Sequence, residues 1–225
     1  MSLSEDRLAH KWSTDRRSAR IYDFTIQRQS VFCLESRIVW GADVRAFYAD
    51  LEALQDLPAG SSVLDVPCGG GVAFRGLRPD MPIRYVAADV SPIMLQRAQA
   101  KAARCGLTNI EYVRTRVDQM PFETATFDLC LSYNALHCFS DPAAAVAEMA
   151  RVLRQGGKLR GTVVVTGGSA LSAAAIAFFR RKEQFGHVES ADDIERTLTD
   201  GGFDELRLDR RGAYLFFEGR RAADK

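Results

Sequence analysis

The regular alternation of short apolar segments with longer, helix-like segments constrains the fold of this chain more than any other feature. Runs rich in apolar and β-branched residues predict strands at residues 61–66, 83–88, 110–113, 127–132, 159–165, 205–208 and 214–218. Between them, Ser91-Pro92 and Asp141-Pro142 predict helix starts, because each pair places a capping side chain before a proline at the first helical position. Gly156-Gly157 predicts the end of the second of these helices. A further helix is expected after the glycines at 69–71. Strands that alternate with helices predict a mostly parallel sheet covered on both faces.

The segment before the first strand predicts a helical extension. Apolar residues recur at helical spacing over residues 41–56. The predicted fold class is therefore α/β, a doubly wound and mostly parallel seven-stranded sheet with a helical N-terminal extension. We expect residues 1–57 to form this extension or lid and residues 58–225 to form the ligand-binding domain. An insertion at about residues 166–188 is expected to act as a second lid.

Composition and charge argue against several classes of partner and environment. The 30 Lys and Arg residues nearly balance the 29 Asp and Glu residues, so no overall field favours a nucleic acid. The longest apolar run is far shorter than the ~20 residues that span a bilayer, and the first residues lack the apolar core of a secretory signal. The 5 cysteines form no C-x-x-C pair and the 3 histidines lie far apart. We therefore expect a cytoplasmic protein with no metal, no nucleic-acid partner and no membrane span.

A glycine-rich turn follows the first predicted strand directly, in the sequence VLDVPCGGG at residues 63–71. Ligands of open parallel sheets bind beyond the carboxyl ends of the strands, where the strand order reverses. Glycines at that place let the backbone approach a ligand closely. Asp89 lies 20 residues after Gly69 at the end of the second strand, where its carboxylate can accept both hydroxyls of a ribose. The two features together indicate an adenosine-containing cofactor.

Four stretches of the sequence, in order, resemble one enzyme family: VLDVPCGGG (63–71), YVAADVSPIML (85–95), MPFETATFDLCLSYNALHCFSDP (120–142) and AEMARVLRQGGKL (147–159). Through them the chain resembles the class I S-adenosylmethionine-dependent methyltransferases. It is similar in particular to the small-molecule group around the ubiquinone and menaquinone biosynthesis methyltransferases. The resemblance implies a Rossmann-like methyltransferase fold and an enzyme that uses S-adenosylmethionine, releases S-adenosylhomocysteine and methylates a small molecule.

The resemblance also implies which residues hold the cofactor. Those residues lie at the ends of the first, second and fourth strands and in the segment before the fourth: Asp65, Pro67, Gly69, Gly71, Asp89, Val90, Met94, Val117, Asp118 and Ser132. Two positions depart from the family pattern. Pro67 stands where the family most often has glycine, and we expect this to be tolerated because proline still offers its carbonyl. Arg116 stands where an aspartate usually binds the adenine amino group. Arginine cannot accept a hydrogen bond. We therefore expect the backbone at Val117, or the carboxylate of Asp118, to take over this contact.

The residues expected to take part in the chemistry follow the fourth strand. A sulfonium methyl is already electrophilic, so the enzyme mainly has to orient the acceptor for in-line displacement and exclude water. Tyr133 falls where methyl group and acceptor should meet, and His137 has an ordinary pKa that suits a general base. The alternative for His137 is a packing role.

Aromatic residues are concentrated in the two candidate lids: Trp12, Tyr22, Phe24, Phe32 and Trp40 in the first, and Phe178, Phe179 and Phe185 in the second. If they face the site, they favour an apolar or ring-containing acceptor. The alternative is that they only pack the extension onto the sheet. Exchange of the aromatic arm between subunits would make the protein a homodimer.

Two other functions also fit parts of the sequence. An NAD(P)-dependent oxidoreductase shares the strand, the glycine turn and the acidic residue. Its G-x-G-x-x-G pattern fails here, since the last glycine would fall at Phe74. The second alternative is a methyltransferase-like protein that binds a ligand without catalysis.

Overall fold

A seven-stranded sheet organises the chain in the computed structural model, which describes residues 3–223, with side chains from residue 7. Its strands are β1 (Ser62–Asp65), β2 (Arg84–Asp89), β3 (Ile110–Arg114), β4 (Phe127–Tyr133), β5 (Leu153–Val164), β6 (Phe203–Arg211) and β7 (Tyr214–Arg221). They lie in the order β3-β2-β1-β4-β5-β7-β6. The pairs among β1 to β5 are parallel, and β7 runs antiparallel to both β5 and β6. This confirms the predicted mostly parallel sheet, whose strand order reverses between β1 and β4.

Helices cover both faces of the sheet, as predicted. They are α1 (Leu3–Thr14), α2 (Arg16–Gln27), α3 (Gln29–Glu35), α4 (Arg45–Glu52), α5 (Pro92–Arg104), α6 (Pro142–Val152), α7 (Ala170–Arg181) and α8 (Ala191–Asp200). Alternate residues of β1 point to opposite sides, since Val63 packs with the extension and α5, and Leu64 packs with α6 and α8. No helix within residues 3–223 is long and apolar enough to cross a membrane.

Several predicted boundaries are wrong, and three of them have a local reason. The helix expected to run up to Gly156 ends at Val152, and Gly156 instead lies inside β5 with a φ of +71° beside a shift in the β4–β5 register. A glycine in a bulge and a glycine after a helix look alike in sequence. The helix expected at 41–56 begins at Arg45 and tightens into a 3₁₀ turn at Ala53–Asp56. The glycine turn leads only into a 3₁₀ turn, Val72–Gly76.

The N-terminal extension shares its apolar core with the sheet. Phe47 of α4 meets the ring of Tyr133 edge-on, with 5.2 Å between centroids. The hydroxyl of Tyr48 donates to the carbonyl of Ile26 at 2.8 Å, which ties α4 to α2. Leu51 is completely buried in the same cluster. The expected division at residue 57 is therefore not a division of the hydrophobic core.

We expect the extension and the sheet to unfold together. Leu51→Ala should lower the free energy of unfolding by about 2–5 kcal/mol, because it leaves a cavity in the shared core. Tryptophan fluorescence, which reports on the extension through Trp12 and Trp40, and far-ultraviolet circular dichroism should shift by the same amount. Leu34→Ala is the matched control, since Leu34 is 62% exposed and should change stability by less than about 0.5 kcal/mol. A fluorescence transition that moves alone would contradict a common core.

Candidate active site

A cavity of about 840 Å³ opens beyond the carboxyl ends of β1, β2 and β4, where the strand order reverses. The ends of these strands form one wall. Residues of the extension and of α7 with its following loop form the opposite wall. This is the position at which doubly wound sheets bind ligands. The cavity therefore joins the glycine turn to both candidate lids.

Asp89 is held in place by backbone donors at the base of the cavity. Its Oδ2 accepts the N–H of Gly69 at 2.9 Å, and its Oδ1 accepts the N–H of Ser91 at 2.8 Å. Burial raises the pKa of Asp89 to about 6, against these hydrogen bonds, which lower it. An ionised carboxylate offers about four acceptor positions, so Asp89 can accept further donors such as the hydroxyls of a ribose.

Helix α2 is seated directly on the glycine turn. Gly70 approaches Asp23 so closely that a Cβ at Gly70 would lie 1.9 Å from Oδ1 of Asp23. Asp23 accepts from Nε of Arg97 at 2.7 Å, which links α2 to α5. Gln27 donates to the carbonyl of Gly70 at 3.0 Å and accepts from Lys101 at 2.6 Å. This polar network fixes the extension over the first turn of the ligand-binding domain.

Arg116 and Asp118 form a bidentate ion pair at the end of the cavity where the sequence predicts that adenine binds. Nε and Nη2 of Arg116 donate to the two carboxylate oxygens of Asp118, at 2.9 and 2.5 Å. The hydrogen bonds from Arg116 lower the pKa of Asp118, which keeps it ionised. Both residues and Val117 line the cavity. The unusual arginine therefore orients the neighbouring carboxylate.

Seven of the ten residues predicted to hold the cofactor line the cavity: Pro67, Gly69, Asp89, Val90, Met94, Val117 and Asp118. The other three, Asp65, Gly71 and Ser132, do not line it. Asp65 is turned toward β2, where it accepts from the hydroxyl of Tyr85 at 2.9 Å, and burial raises its pKa to about 7. Gly71 starts the 3₁₀ turn and lies over the ring of Phe74. Ser132 is completely buried, and its Oγ has no partner within residues 3–223.

Tyr133 and His137 both line the cavity, but neither is set up as a base. The hydroxyl of Tyr133 donates to Asp50, and burial raises its pKa well above the ordinary value. Nδ1 of His137 accepts the N–H of Val164 at 3.1 Å, so the proton of the neutral ring lies on Nε2. Burial lowers the pKa of His137 to about 3. His137 can therefore donate a hydrogen bond but is not available to accept a proton.

Stacked aromatic rings form the far wall of the cavity and join the two lids. Phe179 and Phe185 stack with 4.9 Å between centroids, and Trp40 stacks on Phe179 at 6.2 Å. Tyr214, at the start of β7, meets Trp40 edge-on at 6.1 Å. Among the aromatic residues expected near the site, only Phe24 does not line the cavity, and its side chain is 51% exposed.

Sequence reasoning missed two residues of this wall. Tyr214 opens an ordinary apolar strand, and Glu35 lies in a helix with no motif, so neither carries a sequence signal. Glu35 accepts from Nε1 of Trp40 at 2.9 Å, and burial raises the pKa of its carboxyl group. Within residues 7–223, no group of three or more His, Cys, Asp or Glu side chains is placed to hold a metal ion.

The contact between Gly70 and Asp23 predicts a specific coupling. Gly70→Ala should lower the free energy of unfolding by about 1–3 kcal/mol, because the new methyl group overlaps the carboxylate. In the Asp23→Ala background the same change should cost much less, since the overlapping atoms are gone. Urea unfolding of the two single variants and the double variant measures this coupling. Equal costs in both backgrounds would show that α2 does not rest on the glycine turn.

Comparisons with known proteins agree with this geometry. A family model described as a methyltransferase domain matches residues 64–160. The phthiotriol/phenolphthiotriol dimycocerosates methyltransferase of Mycobacterium leprae is 34% identical over 102 residues, 45% of this chain and 37% of that protein. An uncharacterized chloroplastic methyltransferase of Arabidopsis thaliana is 28% identical over 72% of this chain and 47% of its own length. The chain spans less than half the length of these curated relatives.

Solved structures show the same fold. One is phosphoethanolamine N-methyltransferase 2 of Haemonchus contortus, solved with S-adenosyl-L-methionine, which has a TM-score of 0.74 at 16% identity. The match covers 99% of this chain and 61% of that one. A putative methyltransferase of Bacillus halodurans has a TM-score of 0.65 at 21% identity, with 79% of this chain and 100% of that one covered. Residues 64–160 thus match a methyltransferase domain, and the chain is similar to the class I S-adenosylmethionine-dependent methyltransferases in sequence over this segment and in fold.

Proposed function

We propose that this protein transfers the methyl group of S-adenosylmethionine to a small, apolar or ring-containing acceptor by in-line displacement. The observation that carries the proposal is the continuity of one cavity from Asp89 to the aromatic wall at Trp40 and Phe179. A cofactor bound at Asp89 and an acceptor at the wall would share this one cavity. Orientation of this kind can supply ~7–11 kcal/mol of the barrier reduction.

The described residues fit the cofactor. Asp89 would accept the ribose hydroxyls, the backbone from Pro67 to Gly69 would hold the methionine part, and Val90 and Met94 would pack against adenine. Asp118, or the backbone at Val117, would accept from the adenine amino group. Asn134 also lines this cavity, and its side-chain amide would donate to a carboxylate or hydroxyl of a bound ligand.

The chain's own residues supply orientation, and proton transfer where an acceptor needs it. The bound cofactor supplies an electrophilic methyl group. His137 would donate a hydrogen bond through Nε2 to a polar atom in the cavity. Glu35 is better placed than His137 to accept a proton, because its carboxylate lines the cavity and burial raises its pKa. The hydrogen bond from Tyr133 to Asp50 would hold the end of β4 in place, and Tyr133 would take no part in the reaction.

The extension (1–57) and the insertion (166–188) would form the lids of the acceptor compartment. Nε1 of Trp12 donates to the carbonyl of Gln184 at 3.1 Å, which closes one segment onto the other. The stack of Trp40 on Phe179 joins them a second time. Aromatic walls favour an apolar acceptor. The Mycobacterium leprae relative, named for phthiotriol/phenolphthiotriol dimycocerosates, supports this acceptor class.

Ligand-dependent stability separates the proposed function from its alternatives. S-adenosylmethionine and S-adenosylhomocysteine, each at about 100 times its Kd, should add ~2.7 kcal/mol of stability and raise Tm by several degrees. NADH should leave Tm unchanged. Tritium transfer from labelled S-adenosylmethionine to aromatic and acyl acceptors then tests catalysis. A shift with NADH alone would indicate an oxidoreductase, and cofactor binding without transfer to any acceptor would indicate a binding protein.

The raised pKa of Asp89 predicts how cofactor binding depends on pH. The ionised carboxylate accepts the ribose hydroxyls, so affinity is full above pH 7 and falls as protonation sets in below the pKa of about 6. The Kd of S-adenosylhomocysteine at pH 5 should be about tenfold higher than at pH 8. Asp89→Asn should bind more weakly at every pH, without this dependence. Asp65→Asn is the matched control and should keep it, because Asp65 lies off the cavity.

A further inference from the structure

The exposed apolar side chains are concentrated around one part of the molecule. In the part of the chain whose side chains are described, all large apolar residues that remain exposed lie on α2, on α3 with the π-helical turn Ser36–Trp40, or on α7. We call them the rim residues: Ile21, Phe24, Val31, Leu34, Ile38, Leu171 and Phe178. Their exposed fractions run from 36% at Val31 to 62% at Leu34. Apolar exposure that is clustered in this way marks an interaction surface.

The rim residues follow helical faces. Ile21 and Phe24 lie on one face of α2, between Arg17 and Arg28 at positions i, i+4, i+7 and i+11. The guanidinium of Arg28 lies over the ring of Phe24 at 3.7 Å from its centroid. On α7, Leu171 and Phe178 are likewise two turns apart. Each helix therefore presents an apolar stripe toward solvent.

These stripes meet at the mouth of the cavity. Ile21 and Phe178 are more than half exposed and also line the cavity. Phe178 packs edge-on against Phe179, with 5.5 Å between centroids, and Phe179 stacks on Trp40 at the end of the π-helical turn. Ile21 of α2 and Phe178 of α7 thus lie at the opening through which an acceptor would reach the aromatic wall, and the other rim residues lie on the same helices or on α3 and the turn that follows it.

Every exposed charge on these helices and the turn is positive. The cations are Arg16, Arg17, Arg20, Arg37, Arg180 and Arg181, followed by Arg28 and Lys182 at helix ends. The two acidic residues of the same elements point inward, because Asp23 is buried against Arg97 and Glu35 accepts from Trp40. The exposed acidic residue nearest to α7 in the sequence is Glu183, which follows directly after Lys182.

We propose that the rim residues and these cations dock the protein onto an anionic lipid bilayer, with the cavity mouth facing the membrane. Exposed apolar side chains would enter the headgroup region, and the arginines would bind the anionic headgroups. A second copy of the chain fits this surface less well, because a symmetric pairing sets arginine against arginine. An apolar acceptor could then enter from the lipid without crossing water. The docking does not depend on the acceptor, so it stands or falls apart from the proposed function.

Vesicle flotation of the whole chain tests the docking. The protein should bind vesicles of phosphatidylcholine with about 30% phosphatidylglycerol and not vesicles of phosphatidylcholine alone. Binding should weaken as salt rises, because ions screen the arginine–headgroup attraction. Arg20→Gln with Arg37→Gln should weaken binding about 30-fold, since each cation near an anionic surface contributes about fivefold. Phe24→Ser with Leu34→Ser should weaken it about tenfold or more, and neither pair lines the cavity.

The controls keep the test specific. Arg104→Gln with Arg207→Gln removes two exposed cations from α5 and β6, away from the rim residues, and should leave vesicle binding unchanged. Thermal unfolding of each variant without lipid should match the parent chain and confirm folding. Equal loss in the control pair, or equal binding to both vesicle types, would overturn the proposal. A chain that ignores both vesicle types but forms a dimer that Phe24→Ser with Leu34→Ser dissociates would assign the surface to self-association instead.

Discussion

The contact between helix α2 and the glycine turn is the one on which the rest of the site depends. Gly70 admits Asp23 because it has no side chain, and Asp23 then reaches Arg97 on α5. One carboxylate thus ties the extension, the turn and a sheet helix together. Tyr22, the neighbour of Asp23, lines the cavity as a result. Without this contact, the cavity would lose one wall.

Backbone geometry, more than side-chain identity, decides which carboxylate can serve the cofactor. Asp65 and Asp89 both end buried strands, and burial raises the pKa of both. Only Asp89 is fixed by two backbone N–H groups at the edge of the cavity, whereas Asp65 is held away from it by Tyr85. His137 follows the same rule, because the amide of Val164 decides which of its nitrogens carries the proton. The site is therefore preorganised before any ligand binds.

The sheet and the cofactor end of the site could be predicted from the sequence, because both follow from local sequence rules. Alternating apolar runs, cap-and-proline pairs and the spacing from Gly69 to Asp89 each report on a short segment. Glu35 and Tyr214 could not be found in this way, since they meet only through the packing of the extension against β7. The end of α6 could not be predicted from the sequence. Gly156 lies in a β-bulge of β5, and in a sequence such a glycine looks the same as one that follows the end of a helix. Arg116 was recognised as unusual, but its ion pair with Asp118 needed the fold.

Hydrogen–deuterium exchange with and without S-adenosylhomocysteine tests the central claim most directly, namely that the extension completes the cofactor site. Amide protection should rise together at the glycine turn (67–71), at the end of β2 and along α2. The ligand binds against a turn that already carries Gln27 and Asp23, so its stabilisation must pass to that helix. Protection confined to the turn and to β2, with α2 exchanging as fast as in the free protein, would contradict the claim.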